Sequence, residues 1–135
     1  MKYWLVKTEP DTWGWKDQLS KDFEPWNGVR NHQARNFMND MSLGDQVFFY
    51  HSQKEKAIVG IVEVVKEAYP DPSDETGRFV CVDLKAVATF KHPIDLSWIK
   101  EQENLNSLLL IKQPRLSVMP IDAASWSFIY EYGMR

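Results

Sequence analysis

The densest run of chemistry-bearing side chains is Trp26-Asn27-Gly28-Val29-Arg30-Asn31-His32-Gln33-Ala34-Arg35-Asn36. It brings an aromatic plate, a glycine, several amides and two guanidinium groups together. A tryptophan face can stack a flat base. Asn31 and Gln33 each carry a donor and an acceptor, which suits a base edge. Gly28 permits close backbone approach. Arg30 and Arg35 beside a helix start can hold a phosphate. The same residues also have a structural reading, with Trp26 in the core and the arginines paired with surface acids. On residue types alone both stand.

Other chemistry is sparse. The chain has no GxGxxG, P-loop, GxSxG or HExxH pattern. His32, His51 and His92 are too far apart in sequence to suggest a metal site. His51, Ser52 and Asp45 are the residue types of a catalytic triad, but neighbours on a strand point to opposite faces. Carboxylate pairs such as Asp71 with Asp74 and Glu63 with Glu67 read as solvated surface. The lone Cys81 can form neither an internal disulfide nor a cysteine metal site. No metal or other cofactor is expected, and the compartment is read as the reducing cytoplasm. No stretch approaches the roughly 20 apolar residues of a membrane span, and the start of the chain does not read as a signal peptide.

Aromatic content is high, with six Trp, five Tyr and seven Phe in 135 residues. That implies an aromatic core, aromatic walls around a flat ligand, or both. Net charge is −3, which argues against a long non-specific duplex footprint. Yet no acid falls between Pro25 and Asn39, where Arg30, His32 and Arg35 lie. This is a small basic site suited to one or two phosphates.

The elements that must position these residues follow from periodicity and punctuation. Tyr3 to Val6 reads as a strand and Trp15 to Leu19 as a short helix. Asp22 to Gly28 reads as loop. Asn31 to Met41 reads as a helix capped by Asn31, with Ala34, Phe37, Met38 and Met41 as its apolar stripe. Gln46 to His51 and Ala57 to Val65 read as strands, with Gly60 a bulge or close approach and Tyr69-Pro70 a break. Phe79 to Phe90 alternates as one long strand. Asp95 to Glu103 and Asn106 to Lys112 read as short helices, and Arg115 to Met119 as a last strand. Asp122 to Tyr132 reads as a helix with Trp126, Ile129 and Tyr130 inward and Gly133 just past its end. There is no βαβ rhythm. The class is α+β on a mostly antiparallel curved sheet or barrel, in one domain spanning residues 1–135.

WNGVRNHQARNFM at residues 26–38 closely resembles the signature of the EVE domain family. KTEP at Lys7 to Pro10 is similar to the family's opening KSEP. GDQVFFYHS at Gly44 to Ser52, IVGIVEVVKEAYPDP at Ile58 to Pro72, VDL at Val82 to Leu84 and RLSVMP at Arg115 to Pro120 resemble its other motifs. The resemblance implies a PUA-like fold: a mixed, mostly antiparallel β-barrel flanked by short helices. It implies binding of a modified nucleobase, in DNA (modified cytosine) or RNA, rather than catalysis. Matched by motif, the implied pocket takes Thr8 and Glu9 from the first loop. Trp26, Gly28, Val29, Arg30 and Asn31 precede the helix, with Gln33 and Arg35 on it. Tyr50, His51 and Ser52 come from a strand end, and Arg115, Leu116 and Ser117 from the last strand. The chain departs from the pattern at Thr8 (usually Ser), Phe79 (often Trp), Pro114 (usually Ser) and a short Ser73–Arg78 loop. Alternatives are a base-modifying or hydrolytic enzyme using Glu9 or His51 as general acid or base, and a small-metabolite sensor. A monomer with no membrane association is expected.

Overall fold

The computed structural model describes residues 1–135. In chain order the elements are β1 (Tyr3–Thr8), α1 (Trp15–Leu19), β2 (Glu24–Pro25), α2 (His32–Asn39), β3 (Gln46–His51), β4 (Ala57–Pro70) and β5 (Val80–Asp95). There follow α3 (Leu96–Glu101), a 3₁₀ turn at Glu103–Leu105, α4 (Leu109–Lys112), β6 (Val118–Ile121) and α5 (Ala123–Met134). The strands form one mixed sheet in the order β2-β5-β4-β3-β1-β6. Only β1 with β3 is parallel; the other pairings are antiparallel. The outermost strands do not pair with each other, so the expected barrel stays open. β2 has two residues, and β6 has four including Pro120. Edges this short, each lacking a donor at a proline (Pro25 and Pro120), offer little ladder for closure.

Phe48 and Phe49 on β3 explain how so many aromatics fit. Successive strand residues face opposite sides. Phe48 stacks on Trp126 of α5 with ring centres 3.7 Å apart, and Tyr3 stacks on the same indole at 4.6 Å. Phe49 faces the other way and meets the rings of Trp15 and Trp26 edge-on, at 4.9 and 5.6 Å. β3 is therefore buried on both sides, and the Phe49 side carries the tryptophan that the sequence marks out for chemistry.

Several boundaries differ from expectation. β4 runs through Tyr69-Pro70 instead of breaking there, because Tyr69 and Pro70 still pair with Cys81 and Val80 after successive bulges. β5 extends five residues beyond Phe90, to Asp95. The expected loop at Asp22–Gly28 contains β2, and the last strand begins at Val118 rather than Arg115. Tyr130 is exposed, not inward. Gly133 lies inside α5 rather than past its end, where Phe90 packs so closely that an added Cβ would come within 2.4 Å of its ring. Gly60 is the expected close approach: a Cβ there would lie 2.4 Å from the Trp15 ring. No helix is long and apolar enough to cross a membrane.

Candidate functional site

A cleft of about 570 Å³ opens beside the Trp26 segment. Trp26 lies just beyond β2, and its N–H donates to Val82 O of β5 at 2.7 Å. The residue is 8 % exposed, and its ring is both core against Phe49 and wall of the cleft. The two readings of Trp26 therefore hold together. Gly28 follows with φ +83°, a left-handed turn that favours glycine.

The turn is held from outside by Asp71, which the bulged β4 delivers. Asp71 is buried, and its Oδ2 accepts from Gly28 N–H at 2.8 Å and from Arg30 Nη1 at 3.1 Å. Its Oδ1 accepts from Ser73 N–H and Oγ–H at 2.8 and 2.6 Å. Burial pushes the Asp71 carboxyl up, but the donors from Ser73, Gly28 and Arg30 outweigh that and hold it below its ordinary value. Arg30 Nη2 is bound to Ser73 Oγ at 3.0 Å, and the guanidinium lies 5.5 Å from the Phe79 ring centre. Arg30 thus lines the cleft as a strut, with two of its nitrogens committed.

The opposite wall comes from the loop after β1. Thr8 Oγ1 donates to Trp13 O at 2.8 Å, and Ser52 donates its N–H and Oγ–H to Thr8 O at 2.9 and 3.2 Å. Glu9 O accepts from Thr12 and Trp13 N–H, which closes a turn and sets Trp13 on the rim. Lys7 lines the cleft as well; its Nζ donates to Pro114 O at 2.8 Å. Burial lowers the Lys7 pKa. Tyr50, its partner across the sheet, is buried, and its phenol is pushed up to about 12.

Of the residues nominated from sequence, Thr8, Glu9, Trp26, Gly28, Val29, Arg30, Asn31 and Ser117 line this one cleft. Gln33, Arg115 and Leu116 line a second hollow of about 370 Å³ that shares Asn31 with the first. The others lie outside both. Arg35 binds Asn36 Oδ1 and Arg78 O. Tyr50 lies in the core next to Lys7, and Ser52 acts through Thr8. His51 lines a different hollow, with Trp15 and Phe90; its Nε2 accepts from Trp15 N–H at 3.0 Å and its Nδ1 bonds Glu55. Asp45, at the other end of β3, accepts from Trp4 Nε1, Ser42 N–H and Lys2 N–H. No His-Ser-Asp chemistry is assembled. No cluster of three or more His, Cys, Asp or Glu side chains could hold a metal.

Lys7, Thr12, Trp13, Glu24 and Pro25 also line the cleft and escaped sequence reasoning. Lys7 sits in the KTEP motif, which was the available signal. Trp13 and Glu24 carried none, because only the turn before α1 and the two-residue β2 bring them there.

The sequence profile of the EVE domain matches residues 2–132. The chain belongs to the EVE domain family. It is 35 % identical to chicken (Gallus gallus) thymocyte nuclear protein 1 over 94 % of its own length, and spans 66 % of that relative. Among solved structures, a Rhodopseudomonas palustris protein is similar at 47 % identity and TM-score 0.93, covering 98 % of this chain and 93 % of that one. The human THYN1 protein, solved in complex with DNA containing 5-methylcytosine, is similar at 31 % identity and TM-score 0.90. That match covers 100 % of this EVE domain and 99 % of the human chain.

Proposed function

We propose that this EVE domain is a reader of modified cytosine in DNA, binding the base in the Trp26 cleft without transforming it. The observation that carries the reading is Trp26 itself: an indole fixed by Phe49 behind it, at the wall of a cleft sized for a small ligand. A plate held from behind loses little freedom when a base stacks on it. Gly28 and the amides of Asn27 and Asn31 bring polar edges to the same space. The complex of the related human protein with 5-methylcytosine DNA supports the choice of base. The buried thiol of Cys81 fits the reducing cytoplasm as the place of action.

The test is fluorescence anisotropy with single-stranded oligonucleotides that differ only at one cytosine. Burying one methyl group contributes about 0.8 kcal/mol, so 5-methylcytosine should bind about fourfold tighter than cytosine. Trp26→Leu keeps apolar bulk against Phe49 and removes the stacking face. It should weaken binding by about tenfold. Equal affinity for the modified and plain oligonucleotides, or undiminished binding by Trp26→Leu, overturns the reading. An RNA oligonucleotide with the same modified base decides between polymers.

A further inference from the structure

We infer that the bound strand continues from the base cleft over Asn31 into the second hollow, where Arg115, with Lys7 beside it, receives a backbone phosphate. The inference rests on the base reading above and adds a phosphate subsite to it. Its first support is the allocation of positive charge. The sequence nominates Arg30 and Arg35 for phosphate, and the structure commits both: Arg30 to Asp71 and Ser73, Arg35 to Asn36 and the Arg78 carbonyl. Arg115 lines the second hollow, is exposed, and takes part in no hydrogen bond or ion pair within the chain.

The second support is placement. Lys7 N–H donates to Ser117 O at 2.9 Å, and Lys7 Nζ donates to Pro114 O at 2.8 Å. The segment carrying Arg115 is therefore laid along Lys7. Neither Glu9 nor Glu24, the two carboxylates of the cleft, forms an ion pair with Lys7. The Lys7 ammonium is partly desolvated without a counter-ion, and it keeps donors beyond the one given to Pro114. A nearby phosphate would supply the missing charge. The third support is continuity. Asn31 belongs to both hollows, so a base in the first leaves its sugar-phosphate chain beside the second. Gln33 and Gln113 there offer amides, and Leu116 an apolar surface, to a neighbouring nucleotide.

The experiment compares two probes, 5-methyl-2′-deoxycytidine and a short single-stranded oligonucleotide holding one 5-methylcytosine. Both are titrated into wild type, Arg115→Gln and Lys7→Gln across a range of salt. Arg115 is exposed, so its variant should melt like wild type, which keeps the test independent of folding. Arg115→Gln should weaken the oligonucleotide about tenfold and flatten its salt dependence by about one phosphate's worth of slope. Nucleoside affinity should not fall with it. Lys7→Gln should shift the ratio of oligonucleotide to nucleoside affinity in the same direction. Salt slopes unchanged in Arg115→Gln, or equal losses for nucleoside and oligonucleotide, overturn the subsite while leaving the base reading standing. Failure of wild type to bind either probe overturns both.

Discussion

At the scale of single residues, the site is built from side chains that serve fold and binding together, and this changes what mutations report. Trp26→Ala removes the ring of a residue that is only 8 % exposed and packs on Phe49. It should cost about 3–5 kcal/mol of stability, as for other large-to-small core changes, so loss of binding by that variant would be uninformative. A urea melt checks it. Asp71 is the second such residue. Its folded-state pKa is held below the ordinary carboxylate value. The network therefore contributes stability at pH above that ordinary value and loses it as pH falls through the folded one. Asp71→Ala removes four accepted hydrogen bonds, one from a guanidinium, and should destabilise by about 2–3 kcal/mol near neutral pH. Urea midpoints at about pH 6 and about pH 3 should show the gap to wild type narrowing at the acid end. A constant gap would mean that the ionised form is not what the donors hold. Arg30 stands out in the sequence and its partner does not, because a separation of 41 positions hides the pair and a surface aspartate looks the same in sequence as a buried one.

Elements set where these residues stand, and α2 shows how one position can do two jobs. Asn31 Oδ1 accepts from Ala34 N–H at 2.9 Å and caps the helix, while the residue also lines the cleft. Asn31→Ala should lose about 1 kcal/mol of stability, whereas Asn31→Asp keeps the capping oxygen, loses the amide donor and adds a negative charge that favours the helix start but opposes a phosphate. Thermal melts beside binding titrations separate the two jobs: a stability loss in the aspartate variant as large as in the alanine variant would reject the capping role. The cap, the stripe of Ala34, Phe37 and Met38 on α2 with Met41 just past its end, and β3 from Gln46 to His51 were legible from sequence because each is a local pattern. β2 was not, since two residues have no period. The length of β4 was not, because Pro70 looks like a breaker unless its pairing with Val80 is known. The placement of His51 was hidden for the same kind of reason. Its motif lies at a strand end, yet which hollow it lines depends on Trp15, whose N–H it accepts. Gly60→Ala tests the element that fixes Trp15: the added methyl would meet a buried ring at 2.4 Å. Overpacking should destabilise by about 1–3 kcal/mol, read from the shift in the urea midpoint.

The whole molecule decides what form of nucleic acid it can take. Net charge is −3, and two carboxylates, Glu9 and Glu24, stand in the cleft itself. Such a surface cannot draw affinity from a long row of phosphates. With Arg115 and Lys7 sharing one phosphate, the slope of log affinity against log salt on a single strand should be only about −0.7, the value for one phosphate neutralised. A base stacked inside a duplex cannot reach Trp26 until it leaves the stack, at a cost of a few kcal/mol. Proteins that meet this cost in a duplex do so with many backbone contacts or by wedging apolar side chains into the helix. Here the exposed cations near the cleft are few, and both of its large rings are tied down, Trp26 against Phe49 and Trp13 through its indole N–H to Gln18 Oε1. An unpaired modified cytosine should therefore bind at least about tenfold tighter than the same base in an intact duplex, a difference of about 1.4 kcal/mol. A mismatch opposite the modified base should recover part of that difference, because it lowers the unstacking cost without changing the phosphates on offer. Anisotropy with matched single-stranded, mismatched and fully paired oligonucleotides at one salt concentration measures the order. Duplex binding equal to or tighter than single-strand binding would show that unstacking is not the limiting cost, and that the Trp26 cleft is not where the base goes.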